Sequence, residues 1–139
     1  MADAIRVRLA AETRIEDNDG DVQSIRHAGY GMVSVDDDRF MLSYEDHQGN
    51  ERIRITLEGN GDRVEMHRDG DAKGMLTFVP GHETNSVYSL GYGEIDIGIR
   101  TISIELQLNE INGSITLHYE SRLGGESVNR TRYCCRWKS

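Results

Sequence analysis

The chain has 139 residues, the size of one ordinary domain. Folding at about this length buries roughly two-thirds of the unfolded surface, so a core needs neither disulfides nor a metal. A formal net charge of −8 argues against general affinity for nucleic acid or anionic membranes, because their phosphates would repel it.

The first strand is predicted from Ile5-Arg6-Val7-Arg8-Leu9 onward, where apolar and charged residues alternate with the two-residue period of a half-buried strand. Asp17 to Asp21 makes a turn, with Asp-Gly at its centre. A second strand is expected over Val22 to Val35, in which Gly29 and Gly31 signal a kink or a close backbone approach. Asp36-Asp37-Asp38 turns into a strand over Phe40 to Glu45, and Gln48-Gly49-Asn50 leads into Arg52 to Leu57. Gly59-Asn60-Gly61 and Asp69-Gly70-Asp71 bracket a short strand from Arg63 to His67, and Ala72 to Val79 is ended by Pro80-Gly81.

The stretch from Tyr88 to Leu108 carries the most architectural information. Ile95, Ile97 and Ile99 alternate on odd positions; Ile102, Ile104, Leu106 and Leu108 alternate on even ones. A straight strand would turn one set outward, so the chain must bulge near Arg100 and Thr101. Tyr92-Gly93 marks the entrance to this strand, and Asn112-Gly113, a hairpin dipeptide, its exit into Ser114 to Leu123. Gly124-Gly125 then leads to a last strand over Ser127 to Trp137. Nine turn signals separate about ten strands, and no window shows a helical period of more than two turns. The expectation is one all-β domain over residues 1–139: an antiparallel meander closed into a barrel, which abolishes exposed edges.

Chemistry is harder to find. Asp17 to Asp21 aligned as a calcium loop puts Arg26 where the bidentate Glu belongs. Gly29-x-Gly31 and Gly91-x-Gly93 lack the third glycine and the helix of a dinucleotide site. The five histidines lack helical zinc spacing, and His118-Tyr119-Glu120 lacks the P-C-x-x-C half of a zinc deaminase. No cofactor and no metal are expected, and no constellation asks for an enzyme. Cys134 and Cys135, the only cysteines, are neighbours whose side chains point to opposite faces of a strand, so Cys135 is expected inside with Tyr133 and Trp137 and Cys134 outside. Without a disulfide framework, an apolar signal-peptide core or a membrane-spanning apolar run, the protein is expected in the cytoplasm, away from membranes.

Two binding surfaces are candidates. Tyr88, Tyr92, Tyr119, Met75 and Phe78 are placed to line a cavity, since a small barrel can hold one ligand in its mouth; Arg100 and Thr101, at the phase switch, join Tyr88, Tyr92 and Tyr119 as candidate ligand contacts. On the last strand Arg130, Arg132 and Arg136 share a face, near Arg6 and Arg8 if first and last strands pair, and form a candidate anion or partner patch.

The order of Leu42-Ser43-Tyr44, Arg68-Asp69-Gly70, Tyr88-x-x-x-Tyr92-Gly93, Thr101, Tyr119 and the alternating final strand resembles the DUF1934 family of small uncharacterised bacterial proteins. The chain departs from it at Leu90-Gly91, where the family places Thr-Pro. The resemblance implies a calycin-type, lipocalin-like barrel of about eight to ten strands and brings no established activity or catalytic residue. The leading expectation is a barrel that binds a small, partly apolar ligand without catalysing a reaction; a protein- or anion-binding module and an enzyme working inside the barrel are the alternatives.

Overall fold

A computed structural model describes residues 3–48, 50–90 and 92–139. Ten strands follow one another: β1 (Ile5–Asp17), β2 (Val22–Asp36), β3 (Arg39–Gln48), β4 (Glu51–Gly59), β5 (Val64–Asp69), β6 (Lys73–Phe78), β7 (Glu83–Leu90), β8 (Gly93–Gln107), β9 (Asn112–Leu123) and β10 (Glu126–Lys138). Each pairs antiparallel with its neighbours in sequence, and β1 pairs with β10, so the meander closes into a ten-stranded barrel. Gly49 and Gly91, which belong to two of the anticipated turn and glycine motifs, lie outside the described residues.

Closure sorts every strand into an inward and an outward set. Val7, Leu9 and Ala11 of β1 face inward, opposite Gly31, Gly29 and His27 of β2 and, on the other side, Trp137 and Cys135 of β10. A core of Val7, Leu9, Val33, Phe40, Leu42, Leu57, Val64, Phe78, Ile115, Leu117 and Trp137 fills the half of the barrel that holds the N-terminal ends of the odd-numbered strands. Each such side chain contributes about 1.5–3 kcal/mol by leaving water. Gly31 is the close approach anticipated in β2: a methyl group there would run into Leu9 Cδ2 and the Ser43 carbonyl. The outward face carries charged residues such as Arg6, Arg8 and Arg54 instead of the apolar band a bilayer would demand. Among the described residues no helix is long and apolar enough to cross a membrane.

The phase switch of β8 is a β-bulge. Thr101 pairs with Tyr119 and Ser103 with His118, leaving Ile102 as the extra residue. Ile99 and Thr101 are each 1% exposed, Ile102 is 55% exposed, and Ile104, Leu106 and Leu108 then pack back against the core. The bulge thus sits one residue beyond the predicted Arg100-Thr101.

Two expectations are corrected. Asn112-Gly113 is not the hairpin turn: both residues lie in β9 and pair with Lys138 and Trp137. The turn spans residues 108–111, where Asn109 Oδ1 accepts the Ile111 N–H at 2.8 Å and the Asn109 carbonyl accepts the Trp137 indole N–H at 2.7 Å. Gly113 is there because the Trp137 ring lies over it. The second correction concerns β7, which begins at Glu83, five positions ahead of Tyr88; Glu83-Thr84-Asn85-Ser86 offers no apolar alternation to read. Among the described residues β7 is also the most sparsely paired seam of the wall, joined to β6 at Lys73–Ser89 and Gly74–Tyr88, with the Thr84 hydroxyl donating to the Thr77 carbonyl across the gap.

Gly113→Ala would drive a methyl into the Trp137 ring and to 2.7 Å from the Gln107 carbonyl. Overpacking of this kind costs about 1–3 kcal/mol, so the urea midpoint, followed by the fluorescence of the single tryptophan, should fall accordingly; an unchanged midpoint would contradict this role for Gly113.

Candidate functional site

The core does not fill the barrel. Tyr44 from β3 and Tyr133 from β10 meet hydroxyl to hydroxyl at 2.8 Å inside the barrel, and a cavity of about 140 Å³ lies towards the end closed by the β1–β2, β3–β4, β5–β6, β7–β8 and β9–β10 hairpins. Its wall combines Ala11, Ile15, Ile25, Ile55, Met66 and Leu76 with Thr13, His27, Tyr44, Asp46, Arg68, Tyr88, Tyr119 and Tyr133.

His27 sits where Gly29, two positions on, leaves the inner wall bare; the imidazole leans over it, with Nε2 3.3 Å from where a Cβ would stand. The ring stacks on Tyr44 with centroids 4.9 Å apart. Its Nδ1 pairs with Asp46 Oδ1 at 3.1 Å, and the same oxygen accepts the His47 N–H at 2.9 Å. Nε2 is fully buried and, among the described residues, has no hydrogen-bond partner, a state that is uncommon and calls for an explanation.

Burial dominates the titration of the deeper groups. Tyr44, Tyr119 and Tyr133 are held neutral well above the ordinary tyrosine value of 10.0, first by desolvation. The Cys135 thiol, just beneath, is pushed up to about 12 for the same reason, partly offset by a hydrogen bond with Tyr133. As expected from alternation, Cys135 is buried and Cys134 lies half-buried on the outer face.

Of the anticipated ligand contacts, the structure brings Tyr88 and Tyr119 together in the cavity wall. Thr101 faces inward across from Tyr119 but is buried in the wall, its Oγ1 without a partner. Arg100 is exposed on the outer face opposite Glu120, and Tyr92, 89% exposed, stands on the β7–β8 hairpin. Phe78 belongs to the solid core and Met75 faces outward. Sequence reasoning missed His27, Tyr44, Asp46, Arg68 and Tyr133. A signal existed: each falls in phase with an inward apolar set, as Arg68 does with Val64 and Met66. A polar residue in an apolar phase marks an inward polar group.

The first and last strands pair, which brings part of the arginine face together; Arg130 instead stands between Glu16 and Glu120, and Arg6 lies over the Tyr30 ring. Across the β1–β10 seam Arg8 opposes Lys138, Ala10 opposes Arg136 and Arg14 opposes Arg132. Arg132 Nε donates to His118 Nε2 at 3.1 Å, and Arg26 pairs with Glu12 at 2.7 Å. Among the described residues one group has metal-ligand chemistry, Glu58, Glu65 and His67, whose donor atoms lie within 4.8 Å of one another. It sits half-buried on the outer wall, and Glu65 is already engaged by Arg63 at 3.1 Å.

A closed ten-stranded antiparallel barrel, solid at one end and hollow at the other, is the class of protein these features define. The model of the family described as "Domain of unknown function (DUF1934)" matches residues 9–134, and the chain belongs to that family. It is similar to the uncharacterized beta-barrel protein YwiB of Bacillus subtilis (strain 168), with 28% identity over 120 residues that cover 86% of this chain and 84% of the relative. The crystal structure of the ywiB protein from Bacillus subtilis superposes with a TM-score of 0.86 at 23% identity, covering 98% of this chain and 92% of that one, which shows the shared fold.

The raised values of Tyr44, Tyr119, Tyr133 and Cys135 set the alkaline behaviour. The folded chain holds protons that the unfolded chain releases from about the ordinary cysteine and tyrosine values of 9.0 and 10.0 upward. Stability is therefore full below about pH 9 and falls as pH rises towards the folded-state values. The urea midpoint at pH 11 should lie below that at pH 8, and the 295 nm phenolate signal of these three tyrosines should appear only with unfolding. A midpoint constant over that range would contradict the burial of these groups.

Proposed function

We propose that this protein is a non-enzymatic, cytoplasmic, lipocalin-like container that binds one small, partly apolar molecule in the mouth of its barrel. The observation that carries this reading is the cavity of about 140 Å³ beside the buried, partnerless His27 Nε2. Engineered apolar cavities of about 150 Å³ take up benzene, so the space suits a ring-sized body. Aliphatic wall residues offer such a body dispersion contacts, while the tyrosines, His27 and Arg68 offer polar contacts that fix its orientation, the usual division of labour in a ligand site. The cysteine and tyrosine groups around the floor are held protonated, which leaves them poor nucleophiles and favours binding over catalysis.

Benzamide, neutral and ring-sized, is a direct probe. Its addition should shift the NMR resonances of the Tyr44, Tyr88, Tyr119 and Tyr133 rings and leave those of exposed Tyr30 and Tyr92 in place. Ala11→Met, which adds a side chain to the wall, should abolish these shifts while leaving the thermal midpoint equal or higher. If neither benzamide nor benzoate perturbs the cavity tyrosines, the container reading fails.

A second reading is favoured by the β1–β10 seam, where Arg14 directly opposes Arg132 and Arg8 opposes Lys138. Cations facing one another across a ladder repel, and an acidic protein surface would relieve that repulsion. Arg130→Glu with Arg132→Glu should then remove any partner captured by the wild-type protein from its own cells; capture unchanged by the charge reversal excludes this reading.

A further inference from the structure

The polar groups of the cavity are not balanced among themselves. Among the described residues Asp46 is the one carboxylate in the wall, and its Oδ1 is already taken by His27 Nδ1 and by the His47 N–H. Arg68 also lines the cavity. It projects inward from β5 between Ile55 of β4 and Gly74 of β6, and among the described residues no carboxylate pairs with it. A guanidinium keeps its charge at any pH a protein survives and carries five N–H donors with no acceptor. Placed in a partly apolar cavity without a counter-ion, it is disfavoured relative to water unless something brings a negative charge to it. Both Tyr44 on β3 and Tyr119 on β9 sense its charge, and Arg68 is half-buried where it lines the cavity.

We propose that the molecule held in the barrel is a small monocarboxylic acid with a ring-sized apolar body, its carboxylate paired with Arg68 and its body against Ile15, Ile25, Ile55, Met66 and Leu76. This rests on the reading of the cavity as a ligand site. The planar guanidinium matches a carboxylate through two parallel N–H···O bonds. The mouth itself limits the charge. Asp17, Asp19 and Asp21 on the β1–β2 hairpin, Asp71 on the β5–β6 hairpin and Glu94 just beyond the β7–β8 turn all stand exposed around it, with Asp69 paired to Lys73 at 3.7 Å. Those carboxylates act through water and salt, which screen them beyond about 8 Å at physiological ionic strength. Arg68 is half-buried and in direct reach of the bound molecule, where screening is weaker than at the rim, so it prevails for the first negative charge. Each further charge meets the same acidic rim with no second unpaired cation in the wall to receive it. Phosphate dianions and polyacids are thereby disfavoured, and a monoanion is selected.

Benzoate and benzamide have the same ring and nearly the same shape and differ in charge, which makes them the deciding pair. Titrated into the intact protein and followed by the cavity tyrosine resonances, benzoate should bind at least ten-fold more tightly than benzamide. Arg68→Met should reduce that ratio to two-fold or less while keeping benzamide binding, and its thermal midpoint should be unchanged or raised because an unpaired charge has been removed. Equal affinities in the wild-type protein, with both probes shifting the cavity tyrosines, would overturn the acid assignment and leave the container reading standing. A ten-fold preference that survives Arg68→Met would also overturn it. Should that variant not fold, Arg68→Gln serves in its place, and the wild-type ratio decides by itself. Binding of neither probe would remove the container reading and this inference with it.

Discussion

Ten residue pairs tie β1 to β10, from Arg8–Lys138 to Asp17–Asn129, and this closure governs the rest of the molecule. An open ten-stranded meander would leave two edges of unpaired N–H and C=O groups and two faces exposed to water. Once the edges join, each strand has one face that water cannot reach, and a one-residue slip anywhere would carry charged side chains into the interior. The bulge at Ile102 is what lets this long apolar strand obey the rule: Ile102 itself is turned out, so that Ile97 and Ile99 before it and Ile104, Leu106 and Leu108 after it all pack in or against the core. Closure also brings the basic residues of the first and last strands together in an acidic protein.

The Tyr44–Tyr133 bridge marks where the two halves of the interior part company. On one side aliphatic and aromatic side chains, sealed by Trp137, supply the burial that holds the fold. On the other, polar residues occupy inward positions and a cavity remains. The packed core and the hollow thus occupy different ends of one barrel. Such an arrangement tolerates costly features at the hollow end, an unpartnered imidazole nitrogen and a guanidinium without a counter-ion, because the packed end compensates for them.

How much of the site was legible can be judged from particular residues. Tyr88 and Tyr119 were marked as cavity residues and line it, because a tyrosine in an inward phase has a body for the wall and a hydroxyl for the space. Arg100 joins them as the phase-switch residue and Tyr92 as one of the tyrosine cluster, yet two-residue alternation sends Arg100 outward and the hairpin carries Tyr92 into water. His27, Asp46 and Arg68 lie on three different strands, 19 and 22 residues apart in sequence order, so no local motif could join them. Asn112-Gly113 misled for a related reason: a glycine that reads as a turn serves a tryptophan ring that arrives 24 residues later.

By itself the sequence determined the all-β class, an approximate count of eight to ten strands, their alternation and the need for a bulge in β8, because these follow from side-chain period and turn chemistry acting over a few residues. The resemblance carried by its short motifs pointed to the family that the match over residues 9–134 establishes. Only the tertiary structure decided that the barrel is solid at one end and hollow at the other, and which polar side chains face one another across the hollow. That information lies in the curvature and register of the closed wall, which set the distances between residues remote in the chain, and no local pattern of residues encodes those distances.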